Sequence, residues 1–213
     1  MQLLDFFQHI PEYLQFWALE YGTGVYWILA LIIFCETGLV FAPLLPGDSL
    51  LFAAGAMLTL HLPGLDLVTM CIVLSVAAII GDMVNYSFGR WMAPRLFKTY
   101  EARWLNKKHL DKTQEFYEKH GGKTIILARF MPIIRTYAPF VAGLSGMRYA
   151  YFFMFNVVGG ITWVVSFLVL GYFFGNLPAV KSNFQYVMLA IVVVSVAPLA
   201  IEFWKSRRKP KVV

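Results

Sequence analysis

The chain has 213 residues, of which 59% are hydrophobic and only 14% are charged, and its formal net charge is +6. Soluble domains carry about 25% charged residues, so this composition excludes an ordinary soluble enzyme and is typical of an integral membrane protein. At roughly 20 residues per span, the length predicts one polytopic membrane domain over 24–204. The basic segments 90–123 and 205–213 flank apolar runs, which favours a cytoplasmic position over nucleic-acid binding.

The first 23 residues combine apolar side chains at helical spacing with three acidic residues. The apolar positions are Phe6, Phe7, Ile10, Tyr13, Leu14 and Trp17. This pattern predicts an amphipathic helix over 1–23 that lies on the membrane surface. Because the segment lacks a basic start, we expect no cleavable signal peptide.

The first apolar run, 24–45, ends in a segment that cannot stay helical. Two prolines and a glycine fall within 43–49 and break any helix there. The next apolar stretch, 50–62, is too short to cross a bilayer. We therefore predict a re-entrant helical hairpin over about 37–62, which enters the membrane, turns and leaves on the same side. Such a break is tolerated only where protein or a water-filled cavity surrounds it.

The rest of the chain contains three longer apolar runs and a second broken one. The predicted full spans are 65–88, 149–174 and about 184–204. The basic segment 90–123 between the first two spans contains a predicted surface helix at about 109–120. The run 124–147 is broken by Pro132 and Pro139 and carries two arginines, so it predicts a second re-entrant hairpin.

The two hairpins share a short pattern. Phe41-Ala42-Pro43-Leu44-Leu45 aligns with Phe130-Met131-Pro132-Ile133-Ile134, and an Ala-Gly step follows each. Placing the basic segments in the cytoplasm makes the hairpins open to opposite faces, as an inverted repeat requires. We thus predict an all-α integral membrane fold with about four transmembrane helices, two re-entrant hairpins and an amphipathic N-terminal helix. Both termini are expected in the cytoplasm.

Charged residues interrupt these apolar segments at Glu36, Asp48, Asp82, Arg129 and Arg135. A charge near the bilayer centre costs about 2.5–3.5 kcal/mol on insertion scales, so we expect Glu36, Asp48, Arg129 and Arg135 to face a shared polar cavity or one another. Structural alternatives stay open: Asp48 as a helix N-cap, Arg129 reaching the inner interface, Glu36 neutralising an arginine. Asp82 lies near the cytoplasmic end of its span, where an interfacial structural role competes with a functional one. Asn156, before a Gly pair, predicts a hydrogen bond between helices.

Enzyme interpretations find little support. Gly143-Leu144-Ser145-Gly146 has the form of an intramembrane serine protease motif, but all four histidines precede Ser145 and none lies deep in a span. An integral lipid phosphatase is disfavoured because it too needs histidines near its arginines. Cys35 and Cys71 lie in apolar runs and are interpreted as small buried hydrophobes. We therefore expect no enzyme, metal or cofactor.

Five stretches together resemble the bacterial DedA family, whose members carry the VTT or SNARE-associated domain. They are 34–38, 45–51, 81–90, 116–122 and 128–143. The resemblance covers about 25–175 and implies an inner-membrane lipid carrier that supports the cell envelope. It implies undecaprenyl phosphate or phosphatidylethanolamine as substrate and dependence on the proton motive force. The family's required acidic and arginine pairs map onto Glu36, Asp48, Arg129 and Arg135.

We therefore predict a membrane lipid translocator of the bacterial inner membrane. Arg129 and Arg135 would bind the phosphate headgroup through their planar forks, and Glu36 and Asp48 would take and release protons. The secondary candidates are Asp82 and Asn156. The expected partners are the lipid, protons and the membrane, with a homo-oligomer left open. A proton-coupled small-solute or ion antiporter that uses the same acids, and a non-transporting scaffold, are the alternatives.

Overall fold

The computed structural model describes residues 10–39, 47–99, 125–126, 129, 131–175, 177–181, 186–187 and 190. All regular secondary structure in these ranges is helical. The helices are α1 (Ile10–Tyr21), α2 (Val25–Gly38), α3 (Gly47–Leu58), α4 (Leu67–Thr99), α5 (Pro132–Leu144), α6 (Tyr149–Phe174) and the short α7 (Pro178–Lys181). The prediction of an all-helical fold with long apolar helices is confirmed for this part of the chain.

Three described stretches are long and apolar enough to cross a membrane: Glu12–Gly38, Leu67–Pro94 and Tyr149–Phe174, with 27, 28 and 26 residues. At about 1.5 Å per residue, each exceeds the roughly 30 Å of a hydrocarbon core. The second and third correspond to the predicted spans 65–88 and 149–174. The predicted surface helix 109–120 and nearly all of the predicted span 184–204 lie outside the described residues.

The N-terminal helix is joined to the first span. A 3-10 turn at Gly22–Gly24 connects α1 to α2, and Gly22 takes a φ of +52° there. Leu14 and Ala18 are buried in the main apolar core, which gives α1 a packed face. The apolar stretch thus begins at Glu12 and ends with α2, whereas the sequence predicted a run over 24–45. The surface position of 1–23 stays a prediction.

Helix α4 is longer than the sequence predicts. It runs from Leu67 to Thr99 with Pro94 inside it, whereas the predicted span ends at residue 88 and a basic segment begins at 90. The prediction of that end was based on charge, but a helix satisfies its own backbone hydrogen bonds equally in lipid and in water. The charged residues after Gly89 therefore continue the helix rather than end it.

Helices α3 and α5 are the second arms of the two predicted hairpins. With 12 and 13 residues, they reach about 18–20 Å at 1.5 Å per residue, too short to span a bilayer. Helix α3 packs against α6, while α5 and α2 pack against α4. The turn of the first hairpin at 40–46 lies outside the described residues, so re-entry stays a prediction.

Glycines bring the backbones of α3 and α6 into direct contact, and other glycines do the same for α5 and α4. A Cβ added at Gly55 would lie 2.9 Å from the backbone nitrogen of Tyr172. The same atom at Gly143 would lie 2.9 Å from the backbone nitrogen of Arg90. Both distances are too short for a real side chain, so only glycine permits these approaches.

The partner helices contribute a matching second pair of glycines. A Cβ at Gly171 would lie 3.0 Å from the Cα of Phe52, and a Cβ at Gly89 would lie 3.1 Å from the Cα of Phe140. The α3–α6 contact is therefore repeated, atom for atom, in the α5–α4 contact. This correspondence supports the internal repeat that the Phe-Pro and Ala-Gly patterns indicate.

The loop between α3 and α4 is fastened to α2. The backbone N–H of Asp66 donates to the Tyr26 hydroxyl at 2.7 Å. The Asp66 carboxylate accepts the N–H of Thr69 at 2.8 Å and so caps the start of α4. Hydrogen bonds from Thr69 hold the pKa of Asp66, which precedes the membrane span, below its usual value.

Candidate functional site

The predicted charged residues are all buried at the centre of the helix packing. Glu36 is 1% exposed, Asp48 6%, Asp82 3%, Arg129 4% and Arg135 8%. Glu36 lies near the end of α2, Asp48 and Arg135 lie in the first turns of α3 and α5, and Asp82 lies within α4. The packing places them against one another in two groups rather than in one.

The first group, here called the central cluster, consists of Glu36, Asp48, Arg135 and Trp163. The Arg135 guanidinium donates from one terminal nitrogen to Glu36 Oε1 and from the other to Asp48 Oδ1, the latter at 2.5 Å. One arginine of α5 thus binds a carboxylate of α2 and a carboxylate of α3. These three side chains thus face one another, which is one of the two arrangements expected from the sequence.

Trp163 of α6 completes the central cluster. Its indole N–H donates to Asp48 Oδ1 at 2.7 Å, and the Arg135 guanidinium carbon lies 4.8 Å from the centre of its ring. Trp163 is fully buried. Trp163 was not predicted from the sequence, because a tryptophan in a span is interpreted as core or interface. The usable signal is that a buried indole N–H requires an acceptor.

Gly47 fits the central cluster because it has no side chain. Its backbone N–H donates to Glu36 Oε1 at 3.1 Å, and a Cβ there would lie only 2.7 Å from the same oxygen. In the sequence, Gly47 was interpreted only as a helix breaker. Its contact shows that the first turn of α3 also supplies a main-chain donor to the buried carboxylate.

The second group, here called the lower cluster, consists of Asp82, Arg129 and Asn156. A terminal nitrogen of Arg129 donates to Asp82 Oδ2 and to Asn156 Oδ1. Asn156 donates in turn to the Ile79 carbonyl at 3.0 Å, which confirms the predicted hydrogen bond between helices. Asp82 is buried and paired with Arg129. Arg129 and Arg135 therefore have different partners.

The Gly159-Gly160 pair leaves space for the Arg129 side chain. A Cβ at Gly159 would lie 2.9 Å from Arg129 Cδ, and one at Gly160 would lie 3.4 Å from its terminal nitrogens. The two glycines are therefore closely packed, as predicted, and part of this packing is against the buried Arg129 side chain. The Arg129 side chain is 4% exposed, so it is enclosed by the packed helices rather than extended over the protein surface.

Asn85 joins three helices beside the central cluster. Its side-chain amide donates to the Thr37 carbonyl of α2 at 3.0 Å and to the Thr136 carbonyl of α5 at 2.8 Å. Thr37 and Thr136 are neighbours in sequence of Glu36 and Arg135. Asn85 was missed because a single asparagine near a span end carries no distinctive sequence signal.

The start of α5 is suited to an anion. Its N-cap residue, Met131, provides no side-chain hydrogen bond, and Pro132 occupies the first turn. The positive end of the helix dipole and the Arg135 guanidinium thus lie together. Within the described residues, no three His, Cys, Asp or Glu side chains are grouped to hold a metal ion.

Comparisons with known proteins agree on one family. Residues 45–173 match the VTT domain. The chain is 50% identical over 206 residues to Protein DedA of Escherichia coli K12, covering 97% of this chain and 94% of that protein. It is 41% identical over 191 residues to an uncharacterised membrane protein of Mycobacterium tuberculosis, covering 88% and 84%. No solved structure matches the chain.

A more distant relative is inner membrane protein YqjA of Escherichia coli K12, which is 30% identical over 190 residues and matched over 86% of each chain. The match to Protein DedA extends over nearly the whole sequence. Together with the three candidate spans, these matches show that the chain is an integral multi-pass membrane protein of the DedA family.

Proposed function

We propose that this protein moves a lipid headgroup across the bacterial inner membrane, with movement linked to the proton motive force. The substrate would be undecaprenyl phosphate or a phospholipid such as phosphatidylethanolamine, and the role would be envelope maintenance. The observation that carries the proposal is the buried contact of Arg135 in α5 with Glu36 in α2 and Asp48 in α3. Intramembrane ionisable residues of this kind mark substrate and proton pathways.

Arg135 is the proposed phosphate-binding group. Its planar guanidinium matches two phosphate oxygens at once, as it now matches two carboxylates. A phosphate that enters between the hairpins would compete with Glu36 and Asp48 for the same donors. The positive end of α5 would strengthen its binding.

Glu36 and Asp48 are the proposed proton carriers. When either carboxylate is protonated, its attraction for Arg135 falls, and the guanidinium becomes available to phosphate. When the proton leaves, the ion pair forms again and displaces the headgroup. Protons taken up on one side and released on the other would thereby drive lipid movement.

Arg129 is proposed as a second headgroup contact, held in place by Asp82 and Asn156 until a substrate enters. Its ion pair lies outside the central cluster, so it would act before or after the Arg135 step. Asp82 is therefore proposed as a positioning residue for Arg129.

The test is transbilayer movement of undecaprenyl phosphate and phosphatidylethanolamine in proteoliposomes. We expect Arg135→Ala to abolish movement and Arg135→Lys to slow it about tenfold or more, because lysine keeps the charge but loses the fork. Arg148→Ala is the matched control, since Arg148 is an exposed arginine. A proton gradient should accelerate movement by the wild type and by Arg148→Ala, but not by Arg135→Ala. Near wild-type movement by Arg135→Lys would exclude bidentate phosphate recognition.

The antiporter alternative predicts a different result in the same vesicles. The clusters contain three carboxylates that could carry protons or cations without any lipid. Proton flux driven by a small solute, in vesicles of inert lipid and with no headgroup movement, would favour the antiporter.

A further inference from the structure

Two short loops join the glycine-packed helix pairs to each other. Helix α3 packs on α6, and α5 packs on α4. In the described part of the chain, the polypeptide passes from one pair to the other at 59–66, between α3 and α4, and at 145–148, between α5 and α6. Each loop contains a glycine with positive φ, Gly64 at +78° and Gly146 at +76°. Any motion of one pair relative to the other must therefore bend the chain at these two loops.

A tyrosine of α2 holds the first loop. The Tyr26 hydroxyl accepts the backbone N–H of Asp66 at 2.7 Å and donates to the Gly64 carbonyl at 3.3 Å. Tyr26 is 6% exposed, so these hydrogen bonds are largely shielded from water. Leu65, between the two bonded residues, is buried in the main apolar core. The loop is thus fastened to α2 as well as to the two helices that it joins.

A tyrosine of α4 holds the second loop in a similar way. The Tyr86 hydroxyl donates to the Met147 carbonyl and accepts a hydrogen bond from the Arg90 guanidinium at 3.2 Å. The Tyr86 ring is buried and stacks on Phe152 of α6, with the ring centres 4.4 Å apart. Tyr86 therefore joins α4 both to the loop and to the helix that follows the loop.

The two fastened loops lie at opposite ends of the membrane-spanning part of α4. The first loop ends at Asp66, directly before α4 begins at Leu67. Tyr86 lies roughly 30 Å further along the helix axis, at 1.5 Å per residue. This distance matches the thickness of a hydrocarbon core. The first loop is therefore located at one membrane face and the second loop at the other.

From this arrangement we propose that 59–66 and 145–148 are the two hinges of the protein, and that the hydroxyls of Tyr26 and Tyr86 are latches, one at each membrane face. A latched loop holds its end of the two helix pairs together and acts as the pivot. A released loop lets that end separate while the other end stays closed. Neither tyrosine belongs to the central or the lower cluster, so the latches would control access to the buried charges without binding the solute.

The test is thiol labelling from each side of the membrane. The reporter is Ser49→Cys in the full chain, with Cys35 and Cys71 replaced by alanine. A membrane-impermeant reagent is added either to bacterial spheroplasts or to inside-out vesicles. In separate proteins, Pro63→Cys and Arg148→Cys, which are exposed in the first and second loops, identify the side that each loop faces.

Phenylalanine variants release one latch at a time, because they keep the ring and remove only the hydroxyl. We expect Tyr26→Phe to raise the labelling rate of the reporter about two- to tenfold, the effect of one lost hydrogen bond, from the side that labels Pro63→Cys. Tyr86→Phe should raise it by a similar factor from the side that labels Arg148→Cys. Tyr137→Phe, at a position 43% exposed, should change neither rate.

The latches are overturned by faster labelling from both sides, by faster labelling from the opposite side, or by unchanged labelling in a folded variant. Faster labelling from both sides would mean that the hydroxyl stabilises the whole fold rather than one face. Because the readout involves no lipid movement, the latches and the proposed function can fail independently of each other.

Discussion

At the residue scale, the buried charges are arranged as partners. Arg129 contacts Asp82, and Arg135 contacts Glu36 and Asp48, so each guanidinium is compensated inside the protein. Desolvation makes such pairs poor sources of net stability, but removal of one member leaves an uncompensated charge. Mutation can separate the small net stability of the pair from the large cost of leaving one charge without its partner.

We expect Arg129→Ala and Asp82→Ala each to lower the free energy of unfolding by about 3–5 kcal/mol. The double variant should lose much less than the sum, because neither charge is then left alone. Denaturant unfolding in detergent micelles measures all three, with Arg148→Ala as an exposed control. Additive losses would mean that the two side chains do not interact in the folded protein.

A second prediction concerns Asp66, which caps α4 outside the span. Because its pKa is lowered in the folded protein, the carboxylate stabilises the fold above its unfolded pKa of about 3.9. This stability is lost as pH falls through the lowered folded value. Asp66→Ala should therefore be less stable than the wild type at pH 7, and the difference should shrink below about pH 4. Thermal unfolding as a function of pH provides the check, and a constant difference would contradict the assignment.

At the element scale, glycine contacts decide which helices pair. Gly55 lets α3 approach α6, and Gly143 lets α5 approach α4, with the same geometry in both halves. Without a hydrophobic driving force between helices in lipid, this close backbone approach supplies the packing energy. A side chain at either glycine must push the pair apart.

We expect Gly55→Ala and Gly143→Ala each to destabilise the fold by about 1–3 kcal/mol through overpacking. Val158→Ala is a control on the exposed face of α6, where Val158 is 49% exposed. If the repeat governs packing, the two glycine variants should behave alike. A large effect at only one of them would argue that the halves are not equivalent.

At the scale of the whole molecule, the structure holds the two clusters closed. None of their five charged side chains is more than 8% exposed, so a headgroup can reach Arg135 only if the hairpin helices separate. The α3–α6 and α5–α4 contacts are close backbone-to-backbone contacts. We therefore expect opening to move each of these pairs as a unit.

Cysteine accessibility tests this closure. Ser49, beside Asp48, is fully buried, so Ser49→Cys, with Cys35 and Cys71 replaced by alanine, should react slowly with a membrane-impermeant thiol reagent. A substrate lipid with a proton gradient should accelerate the reaction. Pro63→Cys, in the exposed loop before α4, should react at once in either condition. Fast labelling at residue 49 without substrate would mean that the site is open to water.

The helices and the candidate charged residues of this protein can largely be predicted from local sequence. The apolar runs predict the long helices because the hydrocarbon core demands about 20 uncharged residues, and the rarity of intramembrane charge singles out Glu36, Asp48, Arg129 and Arg135. The break at Pro43 and Pro46 predicts a short helix after it for equally local reasons. Helix α4 continues past the predicted span end at residue 88 because charged residues do not stop a helix.

Only the tertiary structure decided which residues meet. From the sequence, Arg129 and Arg135 were predicted to bind the same phosphate. In the structure, Arg129 contacts Asp82 and Asn156. Arg135 contacts Glu36, Asp48 and Trp163. These contacts join residues far apart in the chain, and no local pattern encodes them. The sequence by itself determined that charges must be buried in this membrane protein. Which of those charges pair with each other depends on how the helices pack.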